Sequence, residues 1–313
     1  MKQLYAGIII ATLTWMLTSP ITAAGPRNSY SNVVNPEIPM EVEFAGQKIS
    51  LDRVDMMERL DRELTSMVYT HGNTLLTIKR ANRLFPVMAP ILKENGVPLD
   101  ILYLACIEST LDIRAVSAAK AAGLWQFMPE TGRQYGLEVN EYVDERYHTE
   151  KATLAACKYL KAAYSKYGNW ESVAASYNGG MGRISSELTK QGVKSAFDLY
   201  LVNETNRYIF RLIAQKIIME NPSSYGFHLT EGQLYQPIET IDVEVSKPVP
   251  DWQQWAIERG FNYMILRELN PWIRDRQLPN KSGKTYIVKL PASQDALKRS
   301  RQNARVYNPN WTK

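Results

Sequence analysis

Glu108 is the side chain of this sequence with the clearest chemical potential. It directly follows seven apolar residues, 101–107, and precedes Ser109. An ionised carboxylate is costly to bury, so a glutamate seldom closes an apolar run without a partner or a function. If the run is helical, burial and the negative end of the helix both raise the pKa of Glu108, which suits a general acid near neutral pH. On this segment alone, a structural ion pair with a distant Arg or Lys is the simpler interpretation.

Three later segments place polar side chains among apolar residues and glycines. Gln126 lies among bulky apolar residues, which suits one wall of a sugar-binding cleft. Residues 174–183 contain three glycines, which let the backbone approach a ligand, with Tyr177 and Asn178 as polar groups. Tyr208, near the start of a predicted helix, could hydrogen-bond a carboxyl group. Each segment taken singly is also explained by a turn or by ordinary packing.

Four motifs in this order resemble the catalytic domain of the lytic transglycosylases of the soluble-lytic-transglycosylase type, particularly the membrane-bound transglycosylase D group. They are Glu108-Ser109, Gly-Leu-Trp-Gln-Phe-Met-Pro-Glu-Thr at 123–131, Ala-Ser-Tyr-Asn-Gly-Gly at 175–180, and Tyr208. The resemblance covers about residues 72–222. It implies a mainly α-helical, lysozyme-like domain that cleaves the β-1,4 bond between N-acetylmuramic acid and N-acetylglucosamine in peptidoglycan.

The resemblance also implies roles for single residues. Glu108 would be the only catalytic carboxylate, first as acid on the glycosidic oxygen and then as base for the C6 hydroxyl of muramic acid. The product would be a 1,6-anhydro sugar formed without water, one of the exceptions to the two-carboxylate scheme. Substrate binding is implied for Ser109, Gln126, Tyr177, Asn178 and Tyr208, the last of which would also hold or tune Glu108. No metal or cofactor is implied.

The sequence departs from the family pattern near the predicted cleft. Leu111 and Ile113 stand where the family often has Phe and Pro, Ala118 and Lys120 stand where it commonly has Pro and Gly, and Ser176 replaces an Ala. These departures affect the shape of the cleft and therefore subsite preference more than the acid itself.

Two alternative functions remain open from the sequence. Asp112 could serve as a second carboxylate in a hydrolase, although Asp more often caps a turn. A muramidase that uses water is therefore one alternative. A scaffold that binds peptidoglycan without cutting it is the other, and the complete set of motif residues argues against it.

Periodicity predicts the elements that position these residues. A short hairpin is expected over 40–51, a helix over 52–69, and a second helix over 74–95 with kinks or a break at Pro86 and Pro90. Further helices are expected near 150–167, 170–177 and 203–220. The segment 221–237, rich in Pro, Ser and Gly, is the best candidate for a domain boundary.

Residues 241–291 show a strand–helix–helix–strand pattern that resembles a LysM module, a small peptidoglycan-binding fold. The usual Gly-Asp-Thr opening is replaced by residues 249–252, so a degenerate module that only packs on the catalytic domain is the alternative. Trp252, Trp255 and Trp272 could stack on sugars, but aromatic residues at helical spacing more often form a core. The tail that follows is expected to be a solvated basic helix containing Lys298, Arg299, Arg301 and Arg305, able to attract anionic cell-wall peptides or membrane.

Composition sets the class of protein and its compartment. The chain has 313 residues, 45% hydrophobic and 22% charged, as in soluble globular proteins. The net charge of +5 without a long basic run argues against a nucleic-acid partner. Residues 1–24 have the positive start, apolar stretch and small-residue cleavage site of a signal peptide, and no cysteine nearby could carry a lipid, so an exported, periplasmic protein is expected.

The predicted organisation is a signal peptide at 1–24, an N-terminal extension at 25–71, the lysozyme-like catalytic domain at 72–222, a small βααβ LysM-like accessory domain at 236–291 and a basic tail at 292–313. Peptidoglycan glycan strands are the expected partner. Association with the membrane or with cell-wall proteins and the oligomeric state stay open. Cys106 and Cys157 could form a disulfide or remain two buried thiols.

Overall fold

Helices dominate the chain in a computed structural model that describes residues 35–298 and 304–313. The predicted signal peptide and most of the irregular leader lie outside the described residues. The helices within them are α1 (Val54–Tyr69), α2 (His71–Glu94), α3 (Leu102–Ser109), α4 (Pro129–Gln134), α5 (Thr149–Tyr167), α6 (Trp170–Gly179), α7 (Met181–Gln191), α8 (Asn203–Glu220), α9 (Trp252–Ile257) and α10 (Tyr263–Leu269). The strands are β1 (Glu41–Phe44), β2 (Gln47–Ser50), β3 (Thr240–Val245) and β4 (Tyr286–Pro291). The mainly α-helical fold class is thus confirmed.

The predicted hairpin is formed by β1 and β2, which pair in antiparallel fashion. Its two turn residues, Ala45 and Gly46, both have positive φ, 52° and 80°. That pair of angles gives a turn whose twist matches the strands, as two-residue hairpins require. The backbone N–H of Ala45 donates to a carboxylate oxygen of Asp100 at 2.6 Å, which ties the hairpin to the segment that leads into α3.

Helix α2 is longer and more continuous than the sequence predicts. It runs unbroken from His71 to Glu94 through Pro86 and Pro90, so the predicted break is absent. Each proline removes a backbone donor from the helix ladder. The burial of Phe85, Met88 and Leu92, each at most 1% exposed, stabilises the helix sufficiently to offset that loss.

The helix that carries Glu108 lies at the centre of the helical part. A short 3-10 turn, Leu99–Ile101, leads directly into α3, which packs against α2 and α8. Helix α1, in the N-terminal extension, packs along α8. Helix α8 in turn packs against α3. The extension is therefore part of the framework that surrounds Glu108.

The C-terminal segment folds in the predicted order β3-α9-α10-β4. The two strands pair in antiparallel register, with Val243 opposite Val288. Trp252, Leu266 and Val288 are fully buried in their own core, which confirms the βααβ module. The core also includes Val143 of the helical part, so the module packs directly on it.

The segment 221–237, expected as a domain boundary, packs on the helical part. It forms two 3-10 turns, and Phe227, Leu229 and Leu234 are buried in the same core as the helices. The N–H of Tyr235 donates to the carbonyl of Lys79 on α2. Burial of three apolar side chains explains why this polar, glycine-containing stretch is held in place.

The expectation of a solvated basic helix in the tail is wrong for its described residues. Residues 304–313 contain no α-helix, and Trp311 is 2% exposed, with its indole N–H donating to the carbonyl of Met219 at 2.6 Å. The side chain of Asn82 donates to the carbonyl of Arg305 and accepts from the N–H of Tyr307. Burial of a tryptophan outweighs the solvation of the basic residues around it. Residues 299–303, including Arg299 and Arg301, lie outside the described residues.

Both cysteines, Cys106 and Cys157, are free and buried, which agrees with the thiol alternative. Burial raises the pKa of each thiol. Within residues 35–298 and 304–313, none of the helices has the length and apolar character needed to cross a membrane.

Candidate active site

Glu108 occupies the last turn of α3, the negative end of the helix, as the sequence predicts. Burial raises the pKa of its carboxyl group to about 7, the largest effect on this group. The hydrogen bond from Tyr208 and the positive charge of Arg211 lower the pKa, and the negative charge of Glu204 raises it. Because burial dominates, the carboxyl group can be protonated near neutral pH and still ionise when a proton acceptor is needed.

Tyr208 donates a hydrogen bond from its hydroxyl to the carboxylate of Glu108, although it lies 100 positions later in the chain. It projects from α8 and is 3% exposed, and its neighbours Ile209, Phe210 and Leu212 are also buried. The packing of α8 therefore holds the phenol in place. The structure brings together the two residues that the sequence analysis paired.

Tyr177 lies close to the same carboxyl group. Its hydroxyl donates to the carbonyl of Trp125 at 2.7 Å, and its ring packs edge-on against Phe127 and Tyr159. Burial raises the pKa of Tyr177, and the negative charge of Glu108 raises it further. Asn178, the next residue, is half-buried in the last turn of α6.

Gln126 is a half-buried turn residue whose side chain is hydrogen-bonded on one side only. Its Nε2 donates to the carbonyls of Gly123 at 2.8 Å and Ala115 at 3.3 Å. Its Oε1 has no hydrogen bond within the described part of the chain and can accept one from a ligand. The amide thus stabilises the turn, and its role in the wall of a sugar-binding cleft stays a prediction.

Ser109 faces the protein interior. It is 8% exposed, and its hydroxyl lies 3.0 Å from the carbonyls of both Ala105 and Leu124. A hydroxyl has one proton to donate, so it satisfies one of these oxygens at a time. This arrangement joins the end of α3 to the loop that carries Gln126, and a direct sugar contact by Ser109 stays a prediction.

Backbone strain is concentrated next to Glu108. Six non-glycine residues in the described chain have positive φ, and four of them, Thr110, Leu111, Lys120 and Gln126, lie within seventeen positions of one another. Left-handed backbone at such residues is unfavourable and tends to occur at functional sites. The φ of Lys120, 67°, gives a physical reason for the glycine that the family commonly has at this position.

A buried arginine, which the sequence analysis did not identify, holds this strained loop. Arg146 donates to the carbonyls of Lys120 at 2.8 Å and Phe127 at 2.9 Å, and it forms a two-point ion pair with Asp144. Its carbonyl oxygen also lies so near Gly123 that a Cβ there would come within 1.9 Å. No local pattern marks this role of Arg146, because the two loop carbonyls that it binds lie 26 and 19 positions away in the sequence.

Asp112 has the structural role that the sequence favoured. Its Oδ1 accepts from the backbone N–H of Arg114 at 2.9 Å, which closes a turn, and its Oδ2 faces Arg80 at 3.5 Å. Arg211 and Glu204, which both act on the carboxyl group of Glu108, were not singled out from the sequence. The helical spacing of Arg211 from Tyr208, three residues, is the signal that could have revealed it.

Two regions of the chain match known domain families. Residues 87–199 match the Transglycosylase SLT domain, and residues 241–294 match the Soluble lytic transglycosylase C-terminal LysM-like domain. These two matches confirm the resemblance found in the motifs.

More particularly, the chain is homologous to the membrane-bound lytic murein transglycosylase D of Escherichia coli (strain K12), to which it is 28% identical over 267 residues. The alignment covers 82% of this chain, and the chain spans 57% of the length of that relative. Two solved structures are also similar. The 70 kDa soluble lytic transglycosylase of Escherichia coli is 18% identical with a TM-score of 0.39, covering 51% of this chain and 30% of that one. An inactive mutant of lytic transglycosylase Slt from Pseudomonas aeruginosa is 21% identical with a TM-score of 0.35, covering 43% and 23%.

Proposed function

We propose that the protein is a peptidoglycan lytic transglycosylase. It cleaves the β-1,4 bond between N-acetylmuramic acid and N-acetylglucosamine and leaves 1,6-anhydro-N-acetylmuramic acid ends, with Glu108 as the single acid/base. The observation that carries the proposal is one carboxyl group whose pKa is raised to about 7 by burial and whose position is held by Tyr208. The membership of residues 87–199 in the SLT domain family supports it.

The proposed reaction uses one carboxyl group twice, first as acid and then as base. The protonated Glu108 donates its proton to the glycosidic oxygen as the bond from that oxygen to C1 of muramic acid breaks. The N-acetyl group of the substrate stabilises the electron-poor C1. The C6 hydroxyl then attacks C1 and returns its proton to the Glu108 carboxylate, so the acid is regenerated and no water is consumed.

A single carboxylate is favoured because the rival is already engaged. Asp112 accepts a backbone hydrogen bond and faces Arg80, and its turn is part of the strained segment after α3. We propose that Gln126, with a free carbonyl oxygen, and the neighbouring Tyr177 and Asn178 contact the sugar rings. We further propose export to the periplasm through the predicted signal peptide, with peptidoglycan strands as substrate.

Digestion of purified peptidoglycan followed by mass spectrometry of the fragments tests the proposal. Fragments one water lighter than hydrolysis products, with anhydro ends, are expected. Reducing ends would instead identify a muramidase, and no release would identify a binding scaffold.

Glu108→Gln is expected to lower release by at least about 10³-fold, because the general acid is lost while the size of the side chain is kept. The matched variant Asp112→Asn is expected to retain activity within about threefold, since it removes a charge but no proton donor. Circular dichroism of both variants verifies the fold. Activity retained by Glu108→Gln would overturn the assignment.

A further inference from the structure

A polar cavity of about 200 Å³ lies between α1, α2, α3 and α8. Ile107 and Thr110, on either side of the Glu108–Ser109 pair, form part of its wall. Helices α1 and α8 lie outside residues 87–199, so the SLT domain match does not cover this part of the wall. The cavity opens to solvent beside Ser66, Thr70 and Asn73, which are exposed.

The ionisable residues of the cavity wall carry a net positive charge. Glu63, only 1% exposed, accepts from Arg207 at 2.7 and 3.0 Å and from Arg62 at 3.1 Å, so its charge is neutralised. Arg211 also lines the cavity, and it forms no hydrogen bond or ion pair within residues 35–298 and 304–313. One guanidinium group therefore remains available to a ligand.

A buried, unpartnered donor points to the same conclusion. Gln215 lines the cavity and is 5% exposed, and its Nε2 has no hydrogen-bond partner among the described residues. A buried donor without a partner is destabilising and calls for an explanation. Arg207, Arg211 and Gln215 are spaced four residues apart on α8 and therefore lie along one face of the helix.

We propose that this cavity binds a carboxylate of the peptide stem that peptidoglycan carries on its muramic acid. The inference rests on the proposed function, because the stem is present only if peptidoglycan is the substrate. A guanidinium group and an amide N–H match the two oxygens of a carboxylate. The volume is below the size of sites that enclose a whole drug-sized ligand, and it suits a carboxylate with its adjoining atoms.

The position of the cavity relative to the acid agrees with such a contact. Arg211 is close enough to Glu108 for its charge to lower the pKa of that carboxyl group. Tyr208 and Arg211 project from successive turns of α8, the first to the acid and the second to the cavity. A stem attached next to the scissile bond would thus meet Arg211 while the sugar lies at Glu108.

Two substrates separate this role from a general effect on catalysis. Glycan strands that carry stem peptides are compared with the same strands stripped by an amidase, using the full-length protein at about pH 5, where Glu108, with a pKa of about 7, is protonated. Arg211→Gln is expected to lower kcat/KM on stem-bearing strands by about tenfold or more and to change it by less than about twofold on stripped strands. The control Arg276→Gln, which alters an exposed arginine of the C-terminal module, is expected to leave both rates unchanged.

Gln215→Leu provides a second variant that removes the donor and keeps the volume. It is expected to lower kcat/KM on stem-bearing strands by about threefold or more while the melting temperature is unchanged or higher. Equal losses on both substrates for both variants would overturn the proposal, as would a wild-type protein that does not discriminate between the strands.

Binding of a free stem tripeptide gives a readout independent of cleavage. Calorimetric titration of the Glu108→Gln protein with the tripeptide is expected to show saturable binding that Arg211→Gln abolishes in the double variant. Absence of binding would contradict the cavity assignment. A protein that binds the tripeptide but cleaves neither substrate would refute the proposed function and leave the cavity assignment intact.

Discussion

The Glu108 site and the C-terminal βααβ module use their polar and aromatic side chains in opposite ways. Around Glu108, a carboxyl group is buried with a raised pKa, Arg211 has no ion-pair partner in the described chain, and backbone strain is concentrated. In the module, the buried amide of Asn270 is satisfied internally: it is fully buried, donates to the carbonyls of Leu266 and Lys289, and accepts from the N–H of Lys289.

The aromatic residues of the module show the same contrast. Trp252 is fully buried, and Trp272 stacks between His148 of the helical part and Tyr286 of β4, with ring centres 6.0 and 5.7 Å away. Only Trp255 of the three candidate sugar-stacking tryptophans is half-exposed, and the guanidinium of Arg259 lies over its ring. Two of the three therefore serve packing, as the alternative interpretation held.

Polar contacts also join the module to the helical part. Lys284 pairs with Glu138 at 2.7 Å and Lys289 with Glu150 at 3.1 Å, and the N–H of Asp144 donates to the carbonyl of Trp272. Asp144 is the residue that pairs with Arg146 beneath the strained loop. The module thus contributes stability to the loop framework, whereas the Glu108 site retains groups that can react.

The largest expected effect on stability lies in the module. Trp272→Ala removes a side chain that is 3% exposed and packed on both parts of the molecule, so unfolding free energy should fall by about 3–5 kcal/mol in urea titrations. Trp255→Ala, which alters a half-exposed tryptophan of the same module, is the control. It should lower the unfolding free energy by less than half as much. If Trp272→Ala lowered the unfolding free energy only slightly and weakened glycan binding, Trp272 would have a sugar-stacking role instead of a packing role.

The next effect in size is on the pH dependence of stability, through the raised pKa of the Glu108 carboxyl group. Its pKa is about 7 in the folded protein against an ordinary value of 4.5, so between these pH values the folded state holds a proton that the unfolded state has released. Stability from this group is therefore present below about pH 4.5 and is lost as pH rises through about 7, by up to about 3 kcal/mol.

Glu108→Gln abolishes this titration, so the variant should match the wild type in urea unfolding at about pH 4 and exceed its stability at about pH 8. Glu130→Gln, which alters an exposed glutamate paired with Arg133, is the matched control. A constant difference between Glu108→Gln and the wild type at both pH values would show that the carboxyl group is not tuned by burial.

Tyr208→Phe should have a smaller effect on catalysis, about a tenfold loss of kcat from poorer positioning of the acid. Because the hydrogen bond of Tyr208 lowers the pKa of Glu108, its loss raises that pKa, and the alkaline limb of the kcat/KM profile should move to higher pH. Tyr159→Phe, whose hydroxyl donates to the carbonyl of Ser176, is the matched control and should leave the profile unchanged. A shift to lower pH would contradict the assigned hydrogen bond.

The smallest effect tests the strain near the site. Lys120→Gly should raise the unfolding free energy by about 0.5–1 kcal/mol, because glycine adopts the φ of 67° at no steric cost. Lys120→Ala keeps the strained backbone geometry. It should leave the unfolding free energy unchanged when both variants are measured by thermal unfolding. Equal unfolding free energies of the two variants would show that the positive φ at residue 120 does not destabilise the protein.

Local elements were largely predictable from the sequence because they depend on local signals. The hairpin at 40–51, helix α1 and the βααβ order all follow from apolar periodicity and turn residues. Of the kinks or break expected at Pro86 and Pro90, the break is absent because tertiary burial overrides local propensity. The tail prediction was wrong for residues 304–313, where Trp311 occupies a buried position that no local pattern reveals.

The resemblance to the lytic transglycosylases, the order of the motifs and the placement of Glu108 at the end of an apolar helix followed from the sequence, since all three are carried by residue type and short spacing. Only the tertiary structure decided which groups surround that carboxyl. Tyr208, Arg211 and Glu204 all come from α8, which meets α3 through long-range packing. The pKa of Glu108 and the charge of Arg211, unpaired within the described chain, depend on burial and on distances between helices. Neither quantity is encoded in a local run of residues.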